Sequence, residues 1–178
     1  NTNAAVLDGI TAITGKTPQF YPLDLRQPET ASMLFSKHPD IHAVIHFAAF
    51  KAVGESVEKP LDYYQNNLNT LVYLLQEVVK KPIAFIFSSS CTVYGQALEL
   101  PILETAPVLK AMSPYGNTKQ IGEEILQDCC LAYPHLKVTA LRYFNPIGAH
   151  ESALIGELPI GVPQNLVPFI TQTGVGKR

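Results

Sequence analysis

The sequence predicts an α/β fold in which a doubly wound parallel sheet carries helices on both faces. Three short apolar runs, residues 43–49, 83–87 and 138–144, have the near-continuous hydrophobicity of strands buried on both sides. Stretches of helical periodicity separate them, and strands alternating with helices are the mark of a parallel sheet. Apolar residues make up 47% of the 178 positions and charged ones 16%, a balance that fills a core and argues against disorder.

Each element has a local reason. Residues 2–13 set apolar side chains at helical spacing and stop at Gly15. Residues 19–23 read as a short strand, interrupted by Pro22 and ending at Asp24-Leu25. Residues 28–37 make a second amphipathic helix. The first strong strand (43–49) then leads into a loop of small and charged residues, 50–59. The longest helical pattern covers 60–79, with Pro60 suited to a first turn. Strand 83–87 runs into Ser88-Ser89-Ser90. Ser113 as N-cap and Pro114 in the first turn open a helix that lasts to about residue 132, where Tyr133-Pro134 closes it. After strand 138–144 the chain is loop-like, with one helix expected over 165–173.

A net charge of −2 argues against broad electrostatic binding to nucleic acid or anionic lipid, so neither is an expected partner. No window approaches the roughly 20 apolar residues that span a bilayer. Cys91, Cys129 and Cys130 are odd in number and lack metal-ligand spacing. A disulfide framework or a metal site is not expected, and a reducing, cytoplasmic compartment fits best. Cys129-Cys130 reads as helix packing, and His46, inside an apolar run, as a core histidine.

In an open α/β sheet, ligands sit beyond the carboxyl ends of the strands. Those exits read Phe47-Ala48-Ala49, Ser88-Ser89-Ser90 and Tyr143-Phe144-Asn145. The sharpest chemical candidate is Tyr115 with Lys119, which share a helix face at four-residue spacing. A phenol with a pKa of about 10 is a poor base at neutral pH, and a nearby ammonium favours its phenolate. With eight tyrosines in the chain the spacing alone is weak, and Tyr133 with Lys137 repeats it. That second pair is interrupted by Pro134 where a helix is ending, so its members need not face one another. Ser90, just after a buried strand, gives the first pair its context: a hydroxyl beside a tyrosine can relay a substrate proton.

Ser, Tyr and Lys in this order are identified as a family constellation. The chain resembles the extended short-chain dehydrogenase/reductase superfamily and, within it, the UDP-glucose 4-epimerases. The resemblance rests on Asp24-Leu25-Arg26, on Val44 through Ser56 (VIHFAAFKAVGES), on Tyr63-Tyr64-Gln65-Asn66-Asn67 and on Ser88 through Gly95. It continues through Ser113 to Lys119, Leu141 through His150 (LRYFNPIGAH) and Asn165-Leu166-Val167-Pro168.

The resemblance implies a Rossmann-like sheet lacking its first two strands and the glycine-rich turn. Residues 1–144 would be a partial NAD-binding domain and 145–178 the start of a UDP-sugar-binding region. By similarity, Tyr115 is the catalytic base and acid, and Lys119 lowers its pKa and binds the nicotinamide ribose. Ser90 and Thr92 hydrogen-bond the hexose. Asp24 and Leu25 match the adenine contact, and Phe47, Ala48, Ala49, Lys51, Asn66, Ser88 and Phe144 the rest of the NAD shell. Tyr143, Asn145, Asn165 and Leu166 match contacts to the UDP-sugar. The implied reaction interconverts UDP-glucose and UDP-galactose through a transient 4-keto sugar, in galactose metabolism, by a homodimer built on the helices 60–79 and 113–132.

Two other readings compete. A nucleotide-sugar 4,6-dehydratase needs an added acid and base, and that group carries an Asp-Glu pair where Cys91-Thr92 stand here. A non-catalytic dinucleotide-binding relative has no need of the Ser90, Tyr115 and Lys119 set. No Gly-x-x-Gly-x-x-Gly occurs, although a dinucleotide fold opens with such a turn to hold the pyrophosphate. The chain is therefore expected to be an internal fragment of a longer enzyme, inactive alone. Residues 1–178 expressed by themselves are expected to hold NAD only weakly in equilibrium dialysis, and tight binding would defeat that expectation.

Overall fold

The computed structural model describes residues 5–156, 162 and 165–177. Residues 23–144 form one compact unit, and the described residues before 23 and after 144 form another.

The larger unit is built on a three-stranded parallel sheet in the order β1 (Ala43–His46), β2 (Ala84–Ser88), β3 (Lys137–Leu141). Parallel neighbours need a crossover between them. Helices α3 (Val53–Glu58) and α4 (Pro60–Val78) link β1 to β2, and a 3₁₀ turn (Cys91–Tyr94) with α5 (Pro114–Ala132) links β2 to β3. Helix α2 (Pro28–Lys37) precedes the sheet. His46, Phe87 and Ala140 stand in register, which brings the three strand exits to one rim.

The α4 sequence presents Leu71, Leu74, Leu75 and Val78 along one stripe, all buried. They pack on Phe85 and Phe87 of β2, with Ala31 and Phe35 from α2 and Leu126 from α5. Gly122 makes this packing possible: a Cβ there would meet Phe87 Cζ at 2.8 Å and Leu71 Cδ2 at 3.3 Å. Helix α5 begins as its sequence dictates, with the Ser113 hydroxyl accepting the Gly116 N–H at 3.1 Å and Pro114 in the first turn.

Three expectations need correction. Residues 19–23 form no strand. Pro18 and Pro22 have no N–H to give a ladder, and no described strand pairs with them. The strands are buried on one face only: Ile45 is 58% exposed and Leu141 36%, because α2, α4 and α5 all gather on the face of Phe85 and Phe87. Residues 53–58, read as loop, form α3. Bonds to its own end and to the start of α4 brace this short helix, since Glu55 pairs with Lys59 at 3.2 Å and accepts the Tyr63 hydroxyl at 2.9 Å.

The smaller unit holds α1 (Ala5–Thr14) and α6 (Leu166–Gly174). Gly9 of α1 is buried, and a Cβ on it would meet the Leu154 carbonyl at 2.8 Å. Positions 2–4 of the expected first helix lie outside the described residues, as do 157–161, 163, 164 and 178 of the expected sugar-binding region. No described helix is long and apolar enough to cross a membrane. Phe85, 1% exposed at the centre of the core, sets a stability test. Phe85→Ala is expected to lower the unfolding free energy by about 3–5 kcal/mol in urea titration.

Candidate active site at the exit of the central strand

Strand β2 ends in three serines, and each has a different task. Ser88 offers its carbonyl to the Lys119 amine at 2.7 Å. Ser89, buried, donates to Glu123 Oε1 at 2.5 Å. Ser90 adopts extended backbone and caps the 3₁₀ turn, accepting the Thr92 N–H at 3.2 Å. Gly95 ends that turn at φ +59, where a side chain would also collide with the Lys110 carbonyl.

Tyr115 and Lys119 meet this exit from the first turns of α5. The Lys119 amine lies 5.8 Å from the centre of the Tyr115 ring and 4.9 Å from that of Phe87. The two side chains therefore share a face, as their spacing predicts. Burial pushes the Tyr115 phenol above its ordinary pKa, and the neighbouring Ser90 side chain pulls it partly back. The direction is opposite to the lowering expected from Lys119. The reason is burial of the phenol itself, and the amine beside it is buried as well: Lys119 is 5% exposed, which depresses its own pKa to about 8. Thr92 Oγ1 is buried with no hydrogen-bond partner in the described structure.

The other exits complete the rim. Phe47, 63% exposed, stacks on Tyr143 at 6.4 Å between ring centres, and the Tyr143 carbonyl accepts the Cys91 N–H at 2.7 Å. Phe144 is exposed, as are Ala48 and Lys51, while Ala49 and Asn66 are partly buried. Asp24 closes a turn by pairing with Arg26 at 2.6 Å, which holds its carboxyl down to about 2, and Leu25 packs against the core. Asn145, Asn165 and Leu166 belong to the smaller unit. His46 is a core residue, as expected: it lies nearly parallel to Phe87, and desolvation lowers its pKa to about 4.

Sequence reasoning missed the supports behind this rim. Glu123, one turn beyond Lys119, accepts Arg142 Nε at 3.0 Å and Nη2 at 2.6 Å, and the Arg142 guanidinium lies 4.8 Å from the Tyr94 ring centre. Tyr63 and Asn67 carry no assigned role in the sequence reading beyond the 63–67 stretch they bound. Both sit on the apolar stripe of α4, and a polar residue on such a stripe is the signal that could have found them.

Hydroxyls, an amine and a phenol gather where a parallel sheet ends, which is where dinucleotide-binding α/β folds place their ligands. The model of the NAD dependent epimerase/dehydratase family matches residues 2–159, and the chain belongs to that family. It is 49% identical to a UDP-glucose 4-epimerase of Yersinia pestis over 179 aligned residues, covering 100% of this chain and 53% of that protein. A UDP-glucose 4-epimerase of Drosophila melanogaster is 46% identical, with 97% of this chain and 49% of the relative covered. The crystal structure of the Bifidobacterium longum UDP-glucose 4-epimerase, in complex with NAD+ and UDP, superposes with a TM-score of 0.94 at 45% identity, covering 100% of this chain and 53% of that one. The chain thus spans about half the length of the relatives it matches.

The buried amine yields a test in which stability and chemistry separate. A lysine whose folded pKa lies near 8 rather than 10.5 binds fewer protons folded than unfolded between those values, so stability rises with pH across that window. Lys119→Met is expected to abolish that rise and to stabilise the ligand-free fold at pH 7 by about 2–4 kcal/mol. Thermal unfolding from pH 7 to 11 checks it.

Proposed function

We propose that the whole protein interconverts UDP-glucose and UDP-galactose at C4, with NAD as a bound cofactor and a transient 4-keto sugar. The observation that carries this reading is the Lys119 amine, bonded to the Ser88 carbonyl at the exit of β2 and lying 5.8 Å from the centre of the Tyr115 ring. The residues fit such ligands. Thr92 brings a buried, unpartnered hydroxyl, and Phe47, Phe144 and Lys51 lie exposed along the rim.

Tyr115 moves the proton of the sugar 4-hydroxyl, and Ser90 with Thr92 holds that oxygen. Burial keeps the phenol protonated in the chain as described, so base action requires added positive charge at the rim. Bound NAD supplies such charge in its nicotinamide ring, together with the hydride-accepting chemistry. Lys119 steers the ribose while its Ser88 bond fixes the amine. Asp24, Leu25, Phe47, Ala48, Ala49, Lys51, Asn66, Ser88 and Phe144 form the cofactor shell in this reading, and Tyr143, Asn145, Asn165 and Leu166 the UDP-sugar contacts. The partition into a cofactor part, 1–144, and the start of a sugar-binding part, 145–178, belongs to the same proposal.

A dehydratase finds less support. Cys91 and Thr92 occupy the position of its acid–base pair, and Glu123 is held by Ser89 and Arg142. The reading also assigns the protein to galactose metabolism as a homodimer, and to the cytoplasm, where three free cysteines fit a reducing compartment. Tyr115→Phe in the whole protein is expected to cut epimerase turnover by about 10²–10⁴-fold with NAD retained. Assay on UDP-glucose and UDP-galactose tests it, and full activity would remove Tyr115 from the mechanism.

A further inference from the structure

The loop after β1 and the first turns of α5 come from different crossovers, and one side chain ties them together. Asn67 is 6% exposed on the buried stripe of α4. Its Oδ1 accepts the Phe50 N–H at 2.8 Å, and its Nδ2 donates to the Phe50 carbonyl at 3.0 Å. Binding both backbone groups of one residue is what a neighbouring strand does in a ladder, so the amide stands in for a strand beside this loop. Nδ2 also donates to the Thr118 hydroxyl at 3.1 Å, and Oδ1 also accepts the Asn66 amide at 2.8 Å. Thr118 in turn donates to the Tyr115 carbonyl at 2.7 Å.

An unbroken hydrogen-bonded path therefore runs from Phe50 through Asn67 and Thr118 to Tyr115. At one end lies the loop bearing Phe47, Ala48, Ala49 and Lys51; at the other lies the helix bearing Tyr115 and Lys119. Only a side-chain amide of this length offers the two acceptor and two donor positions in use. Aspartate keeps the acceptors and loses the donors, leaving the Phe50 carbonyl and the Thr118 hydroxyl without this partner in a buried place.

We propose that Asn67 is a positioning residue that sets the spacing between the loop after β1 and the Tyr115 helix. The role rests on the proposed function and acts through Phe50 and Thr118. In the whole protein, Asn67→Asp is expected to speed amide hydrogen exchange across residues 47–52 about tenfold while β2 keeps its wild-type rate. NAD affinity and kcat are each expected to fall about tenfold, with KM for UDP-galactose within about twofold of wild type. Thr118→Val leaves both Phe50 bonds in place, so NAD affinity is kept while kcat falls about fivefold.

Wild-type exchange across 47–52 in Asn67→Asp overturns the proposal. So does a uniform rise in exchange across every peptide, which marks a residue that merely supports the fold. If Asn67→Asp does not fold, Thr118→Val decides, and wild-type kcat there overturns the link to the helix. A wild-type protein without epimerase activity defeats the functional reading alone, because exchange across 47–52 still decides the role of Asn67.

Discussion

Phe87 lies where Gly122 has no side chain, and that close approach of α5 to β2 governs everything beyond it. The helix lies directly on the central strand, so the turn before Gly122 arrives at the strand exit. Lys119 is then close enough to bond the Ser88 carbonyl, and its amine lies 5.8 Å from the centre of the Tyr115 ring. Core packing and site geometry are thus one constraint. A side chain at position 122 would displace the phenol and the amine together, without touching either.

The electrostatics of the rim follow from the same burial. Desolvation raises the phenol's pKa and lowers those of Lys119 and His46, so burial shifts all three groups toward their neutral forms, while Lys119, near 8, stays an ammonium at neutral pH. The folded chain gives up stability to keep an ammonium here, which is the usual relation between a functional residue and its scaffold.

Much of this was legible in the sequence. The central and third strands, the helices at 28–37, 60–78 and 114–132, and the cap at Ser113 follow from local rules of periodicity and capping. The shared face of Tyr115 and Lys119 follows from helical spacing. What escaped depends on partners distant in sequence. Helix α3 exists because Tyr63 holds Glu55, and residues 19–23 are not a strand because nothing described pairs with them. Apolar runs report how hydrophobic a strand is and not whether both its faces are covered, so Ile45 was misread. The direction of the Tyr115 shift was also out of reach, since spacing shows that a cation is near and not how deeply the pair is buried.

Arg142 is occupied internally, forked onto Glu123 and laid over Tyr94, with the carboxylate side chain only 9% exposed. A pair so enclosed exchanges little with dissolved ions, and the Debye cloud that weakens exposed pairs scarcely reaches it. The frame around the three serines should therefore keep its shape from dilute buffer to concentrated brine. Any ionic-strength dependence of ligand capture then reports on exposed cations such as Lys51, and not on loosening of the wall behind them.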